Sequence, residues 1–124
     1  MMILGDKRQK TIDSLNLSDS LKKLVKGEFI HDELEFRCFK LKYSLEPDDF
    51  SPQGVDLVPL WESDLTITGF YLDGNLTPVF IHYDIESIED YKVIAKSLDG
   101  LVEFLVSEYV EYDYEDEVRK LLKR

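Results

Sequence analysis

Residues Leu65–Tyr83 constrain the fold more than any other part of the chain. Two runs, Leu65–Leu72 and Leu76–Tyr83, are rich in β-branched and aromatic side chains. Between them stands Asp73-Gly74-Asn75, residues that tolerate positive φ, so the stretch reads as a β-hairpin. The loop is Asp73-Gly74 or Gly74-Asn75. Either choice places Leu65, Ile67, Tyr71, Leu76 and Phe80 on one face with Gly69, Pro78 and His82. Thr66, Thr68, Phe70 and Leu72 then share the other face with Thr77, Val79, Ile81 and Tyr83. The first face is expected beneath helices. The second mixes threonines with large apolar groups and is expected to be partly covered or to face a partner. Pro78 has no N–H for a ladder, so its nitrogen is expected at an edge or a gap.

The flanking segments supply the rest of the architecture. Asp6–Leu15 is predicted helical with Asp6 as the cap. Ser18-Asp19-Ser20 opens a second helix whose stripe is Leu21, Leu24 and Val25 and whose stop is Gly27. Glu33–Tyr43 reads as the first strand. Its alternation slips parity at Cys38-Phe39, which indicates a bulge or burial on both faces. Ser44–Gly54, with Pro47, Pro52 and Gly54, is a loop. Val55–Leu60 is a short extended run ending near Trp61. Tyr91–Ala95 is extended, and Ser97 caps an amphipathic helix carrying Leu98, Leu101, Val102, Leu105 and Tyr109. Gly100 costs that helix about 1 kcal/mol relative to alanine. Glu115–Lys123 forms a last helix on Val118, Leu121 and Leu122. Helices, then antiparallel strands, then helices define a single α+β domain. Its expected layout is short N-terminal helices, an antiparallel sheet of about four strands around the central hairpin, and C-terminal helices on one face.

A chain of 124 residues suits one domain, here 1–124, and buries a sizeable core without staples. Cys38 is the only cysteine, which excludes an internal disulfide and a cysteine zinc site and favours a reducing compartment. The apolar start Met1–Leu4 is too short for a secretory or membrane-spanning segment, so a cytoplasmic protein is expected. The formal net charge is −11. Between Asp84 and Glu117, Lys92 and Lys96 alone oppose a run of carboxylates. Such a surface repels nucleic acid and anionic membranes, and it attracts a basic protein.

The order of several segments resembles the SUKH superfamily. These are "LVPLWES" (Leu57–Ser63), "TITGFYLDG" (Thr66–Gly74), "TPVFIHYD" (Thr77–Asp84) and "YKVIAKSLDGLVEFL" (Tyr91–Leu105). That group takes in fungal Smi/Knr-type cell-wall synthesis regulators and bacterial toxin-immunity proteins. The resemblance implies a non-enzymatic binding domain with no catalytic set and no cofactor. The bacterial role it implies is an immunity protein that binds and blocks a polymorphic toxin, such as a nuclease. The fungal role it implies is a regulatory scaffold docking a cellular enzyme.

The side chains themselves point the same way. His31-Asp32 and His82-Tyr83-Asp84 lack the spacing of a zinc site, although a metal-dependent enzyme using His31 and His82 is a third reading. Cys38 reads as a small buried hydrophobe, Ser63, Ser87 and Ser97 occupy no nucleophile elbow, and the glycines are isolated. The candidate partner surface has two parts. One is Asp84, Glu86, Glu89 and Asp90 after the hairpin. The other is Glu108, Tyr109, Glu111, Tyr112, Asp113 and Tyr114, where tyrosines give contact area at low entropic cost. Trp61, with Glu62, is a candidate anchor, although a lone tryptophan in a small domain ordinarily packs in the core. A monomer or weak homodimer is expected.

Overall fold

A computed structural model describes residues 1–35, 51–63 and 65–124. Four strands form one antiparallel meander, β1 (Val58–Ser63), β2 (Thr66–Leu72), β3 (Pro78–Asp84) and β4 (Lys92–Ala95). Three short helices precede it: α1 (Gly5–Asp13), α2 (Asp19–Val25) and α3 (Asp32–Glu35). Helices α4 (Leu98–Tyr109) and α5 (Glu115–Leu122) follow. The α+β order of helices, sheet and helices is therefore the observed one.

Local chemistry explains most boundaries. Ser18 Oγ accepts from the Leu21 N–H at 3.2 Å and opens α2, and Gly27 ends it at φ 76°. Ser97 Oγ accepts from the Gly100 N–H at 3.1 Å and opens α4. The α4 stripe buries Leu101, Val102, Leu105 and Val106, and α5 buries Val118 and Leu122 beside it. At α1 the expected cap is corrected: Leu4 occupies that position and makes no side-chain cap, while Asp6 lies inside the first turn.

The expected strand at Glu33–Tyr43 is also corrected where it is described. Asp32–Glu35 is helical, because the Leu34 N–H bonds to the His31 carbonyl at 3.0 Å and the Glu33 N–H bonds to His31 Nδ1 at 3.0 Å. Three acids in this one turn complement the helix dipole, and Leu34 fills the core. The remainder of that expectation, with Cys38 and the loop up to Phe50, lies outside the described residues.

The hairpin exists, but its register differs from both expected ones by an odd number of residues, and that moves every β3 side chain to the other face relative to β2. The observed pairs run from Thr66↔Asp84 through Phe70↔Phe80 to Leu72↔Pro78. The loop is three residues long rather than two, since the Asp73 N–H bonds to the Thr77 carbonyl at 3.0 Å. Leu76 takes the left-handed position at φ 60°. Asp73 Oδ1 holds this turn by accepting from the Asn75 and Thr77 N–H groups at 2.8 and 2.9 Å. A non-glycine residue in that conformation costs about 1–2 kcal/mol.

The flipped register redistributes the two faces. Phe70 and Phe80 lie under α4 and α5, with Val58, Leu60 and Trp61 of β1. Ile67, Val79, Ile81 and Tyr83 form a second cluster on the opposite face with Met2 and Leu57. Both faces are buried, so the expected partner-facing sheet surface is withdrawn: Phe70, Val79, Ile81 and Tyr83 are at most 3% exposed. Leu65 and Leu76, expected beneath helices, are 46% and 76% exposed. Pro78 starts β3, beyond the Phe80–His82 segment that β4 pairs.

Strand β1 runs past Trp61 to Ser63, and a bulge between Pro59 and Trp61 turns both Leu60 and Trp61 into the helical core. Neither sheet edge is a bare ladder. Arg8 covers β1, with Nε donating to the Pro59 carbonyl at 2.8 Å and Nη2 to the Leu60 carbonyl at 3.4 Å. Met2 extends that edge through a parallel bridge to Leu57. Strand β4 is four residues long, bulged against β3 and begun by Lys92, features that blunt edge pairing.

Candidate functional site

The segment joining α4 to α5 carries Tyr112, the most exposed aromatic side chain among the described residues. Helix α4 ends where Val110 becomes extended and drops into the core at 9% exposure. A 3-10 turn, Tyr112–Tyr114, then leads directly into α5. Tyr112 is 86% exposed and Tyr114 is 45% exposed. The backbone that displays them is fastened at both ends. The Glu111 N–H donates to Glu33 Oε1 of α3 at 2.7 Å, and Glu117 of α5 bonds His31 Nε2 at 2.6 Å.

The hydrogen bonds fix the state of His31. Its Nδ1 accepts from the Glu33 N–H, so the ring proton sits on Nε2 and is donated to Glu117. The Tyr114 ring meets the imidazole edge-on at a centroid distance of 6.3 Å. His31, Asp113, Asp116, Glu117, Lys120, Leu121 and Arg124 line an open groove here of about 620 Å³.

Arg119 organises the neighbouring carboxylates. It binds Glu103 through Nε (2.7 Å) and Nη2 (3.0 Å), and Asp116 through Nη1 (2.9 Å). The hydrogen bonds from Arg119 hold the Glu103 carboxyl below its usual range. With Glu103, Asp116 and Glu117 engaged, the carboxylates of Glu108, Glu111, Asp113 and Glu115 have no salt-bridge or hydrogen-bond partner among the described residues. Tyr109 is half-buried, with its ring edge-on to Phe104 at 6.3 Å.

The connector after β3 has a different character. Asp84 Oδ1 accepts from the Glu86 N–H at 2.8 Å, and the Glu89 carboxylate holds the Gln53 N–H at 2.9 and 3.1 Å. Ile85, Ile88 and Tyr91 pack on the cluster of Met2 and Ile67, on the face opposite α4 and α5. Glu86, Glu89 and Asp90 are exposed on that side. The structure therefore divides the two candidate segments between the faces of the sheet. Asp84 and Glu108 both pull the charge of His82 upward.

Trp61 and Glu62 are removed from the candidate surface. They are 0% and 4% exposed, because the β1 bulge aims Trp61 inward and Glu62 lies opposite Ile67. Trp61 Nε1 finds no acceptor among the described residues. His82 lies apart from His31, with Nδ1 at 2.8 Å from Thr68 Oγ1 and its ring 5.0 Å from that of Phe104. Burial lowers the His82 pKa, against the pull of Glu108 and Asp84 and with the help of Lys92. Among the described residues no three His, Cys, Asp or Glu side chains are grouped to hold a metal, and no helix is long and apolar enough to cross a membrane.

Sequence reasoning missed Glu33, His31 and Arg119 as the residues that set this segment. Their contacts span 78, 86 and 16 positions, and no local pattern announces such pairs. No family model, curated protein or solved structure matches the chain.

Proposed function

We propose that the chain is a non-enzymatic binding protein whose contact surface is the α4–α5 junction. Its partner is a protein carrying a basic surface. The observation that carries this reading is Tyr112, 86% exposed on a backbone tied to α3, with Glu111 and Asp113 on either side. A pre-positioned tyrosine loses little entropy when it is buried by a partner, and unpaired carboxylates draw a basic surface toward it. The resemblance of Leu57–Leu105 to the SUKH superfamily supports a specific role, that of a cytoplasmic immunity protein blocking a polymorphic toxin. Nucleases are basic where they hold nucleic acid, and an acidic inhibitor fits such a groove.

Calorimetric titration of this protein against the toxin domain encoded beside its gene tests the reading. Binding is expected, together with loss of toxin activity. Association should slow as salt shortens the Debye length from about 30 Å at 0.01 M to about 8 Å at 0.15 M. Absence of heat and of inhibition sinks the proposal. Tight but salt-insensitive association sinks the steering role of the carboxylates.

A further inference from the structure

Leu76 is anomalous on two counts. It is 76% exposed at the hairpin tip, and it holds a left-handed conformation, φ 60°, that glycine adopts freely and leucine does not. Its side chain adds nothing to either core cluster. Elsewhere, α1 and α2 leave a cavity of about 130 Å³ over Ile12, Leu17 and Val25. The pocket is open, with Gln9, Asp13, Lys22 and Lys26 around those three apolar residues, and its volume approaches the roughly 150 Å³ that accepts a benzene ring, so it has room for an isobutyl group. Lys22 and Lys26 stand at its rim, and Gln9 bonds Asp13 across one side at 2.9 Å. The hairpin tip offers the opposite sign, because Asp73 spends Oδ1 on its turn and leaves Oδ2 without a partner among the described residues.

We infer that the tip of one molecule docks into the α1–α2 cavity of a second copy, with Leu76 as the knob and Asp73 facing Lys22 and Lys26. The two surfaces differ, so the contact is head-to-tail and leaves each pair one free cavity on the first molecule and one free tip on the second, where further copies can add. The buried area is small, which makes the association weak and confined to high concentration.

Sedimentation velocity from micromolar to millimolar protein tests this with two variants. Leu76→Gly removes the knob and relieves the backbone, so it must fold at least as stably as the parent. Lys22→Glu/Lys26→Glu reverses the rim on exposed positions. Wild-type protein should self-associate, each variant should do so at least about 10-fold more weakly, and an equimolar mixture of the two should form a one-to-one complex. That mixture keeps one intact tip and one intact cavity. A wild-type protein that stays monomeric throughout overturns the inference. Undiminished association of either variant, or failure of the variants to combine, overturns it as well.

Discussion

Replacing Gly69 by alanine should be among the most damaging single-methyl changes in this chain. Gly69 sits in β2 opposite Pro59, beside the bulge of β1. A Cβ added there would lie 2.6 Å from the Val58 carbonyl oxygen, 2.9 Å from Leu57 Cδ1 and 3.0 Å from Pro59 Cα. The first contact is roughly 0.8 Å short of ordinary van der Waals distance. Two of the three obstructing atoms belong to backbone, and the strand that bears them is held from behind by the fully buried Leu60 and Trp61. Side-chain rotation therefore gives no relief, and β1 must move. Overpacking of this kind costs about 1–3 kcal/mol, and the lower chain entropy of alanine returns about 0.5–1 kcal/mol of it. A net loss of about 1 kcal/mol should lower the melting temperature by about 4 °C and the urea midpoint by about 0.5 M. Urea unfolding followed by Trp61 fluorescence reads this directly. Gly74→Ala is the control, since a Cβ there meets nothing within 4 Å. If Gly69→Ala unfolds at the same urea concentration as the parent, the close approach of β1 and β2 is refuted.

Three further outcomes follow from the same contacts. Arg8→Ala strips the guanidinium from the Pro59 and Leu60 carbonyls and should cost about 2 kcal/mol in urea unfolding, with Arg8→Lys failing to restore both bonds. Ser97→Ala removes the α4 cap and should cost about 1 kcal/mol, with amide exchange accelerating first at Leu98–Leu101. His82 is held below its ordinary pKa by burial, so folding favours its neutral form. The stability this provides is complete above the unfolded value of about 6.5 and is lost as pH falls through the folded value. Urea midpoints taken from about pH 7.5 down to about pH 5 should fall less steeply for His82→Gln than for the parent.

Local chemistry made α1, α2, α4, α5 and the order of β1 to β4 legible, but not α3, whose residues read as the start of a strand. Ser18 and Ser97 cap where their side chains predict, and the stripe Leu101–Val102–Leu105 is buried as its spacing requires. The hairpin was legible as a hairpin but not in its register. The turn is set by Asp73 Oδ1 gripping two backbone N–H groups, and by a leucine accepting a conformation that sequence rules assign to glycine. One added loop residue then exchanged the faces. Trp61 changed role for a similar reason, because the β1 bulge turns two consecutive side chains the same way. At the candidate site the tyrosines and acids were visible as composition. Which carboxylates remain free depended on Arg119 and His31, and those pairings exist only after the chain has folded.

The central claim is that Tyr112 and its flanking carboxylates meet a basic partner. If the proposed immunity role holds, inhibition of a toxin encoded beside the gene by wild-type protein, set against a Glu111→Gln/Tyr112→Ala/Asp113→Asn variant of unchanged melting temperature, addresses it most directly. A buried aromatic anchor is worth about 2 kcal/mol or more, so the variant should need at least about 30-fold more protein for half-inhibition. Equal potency of the two proteins would place the contact elsewhere and contradict the account.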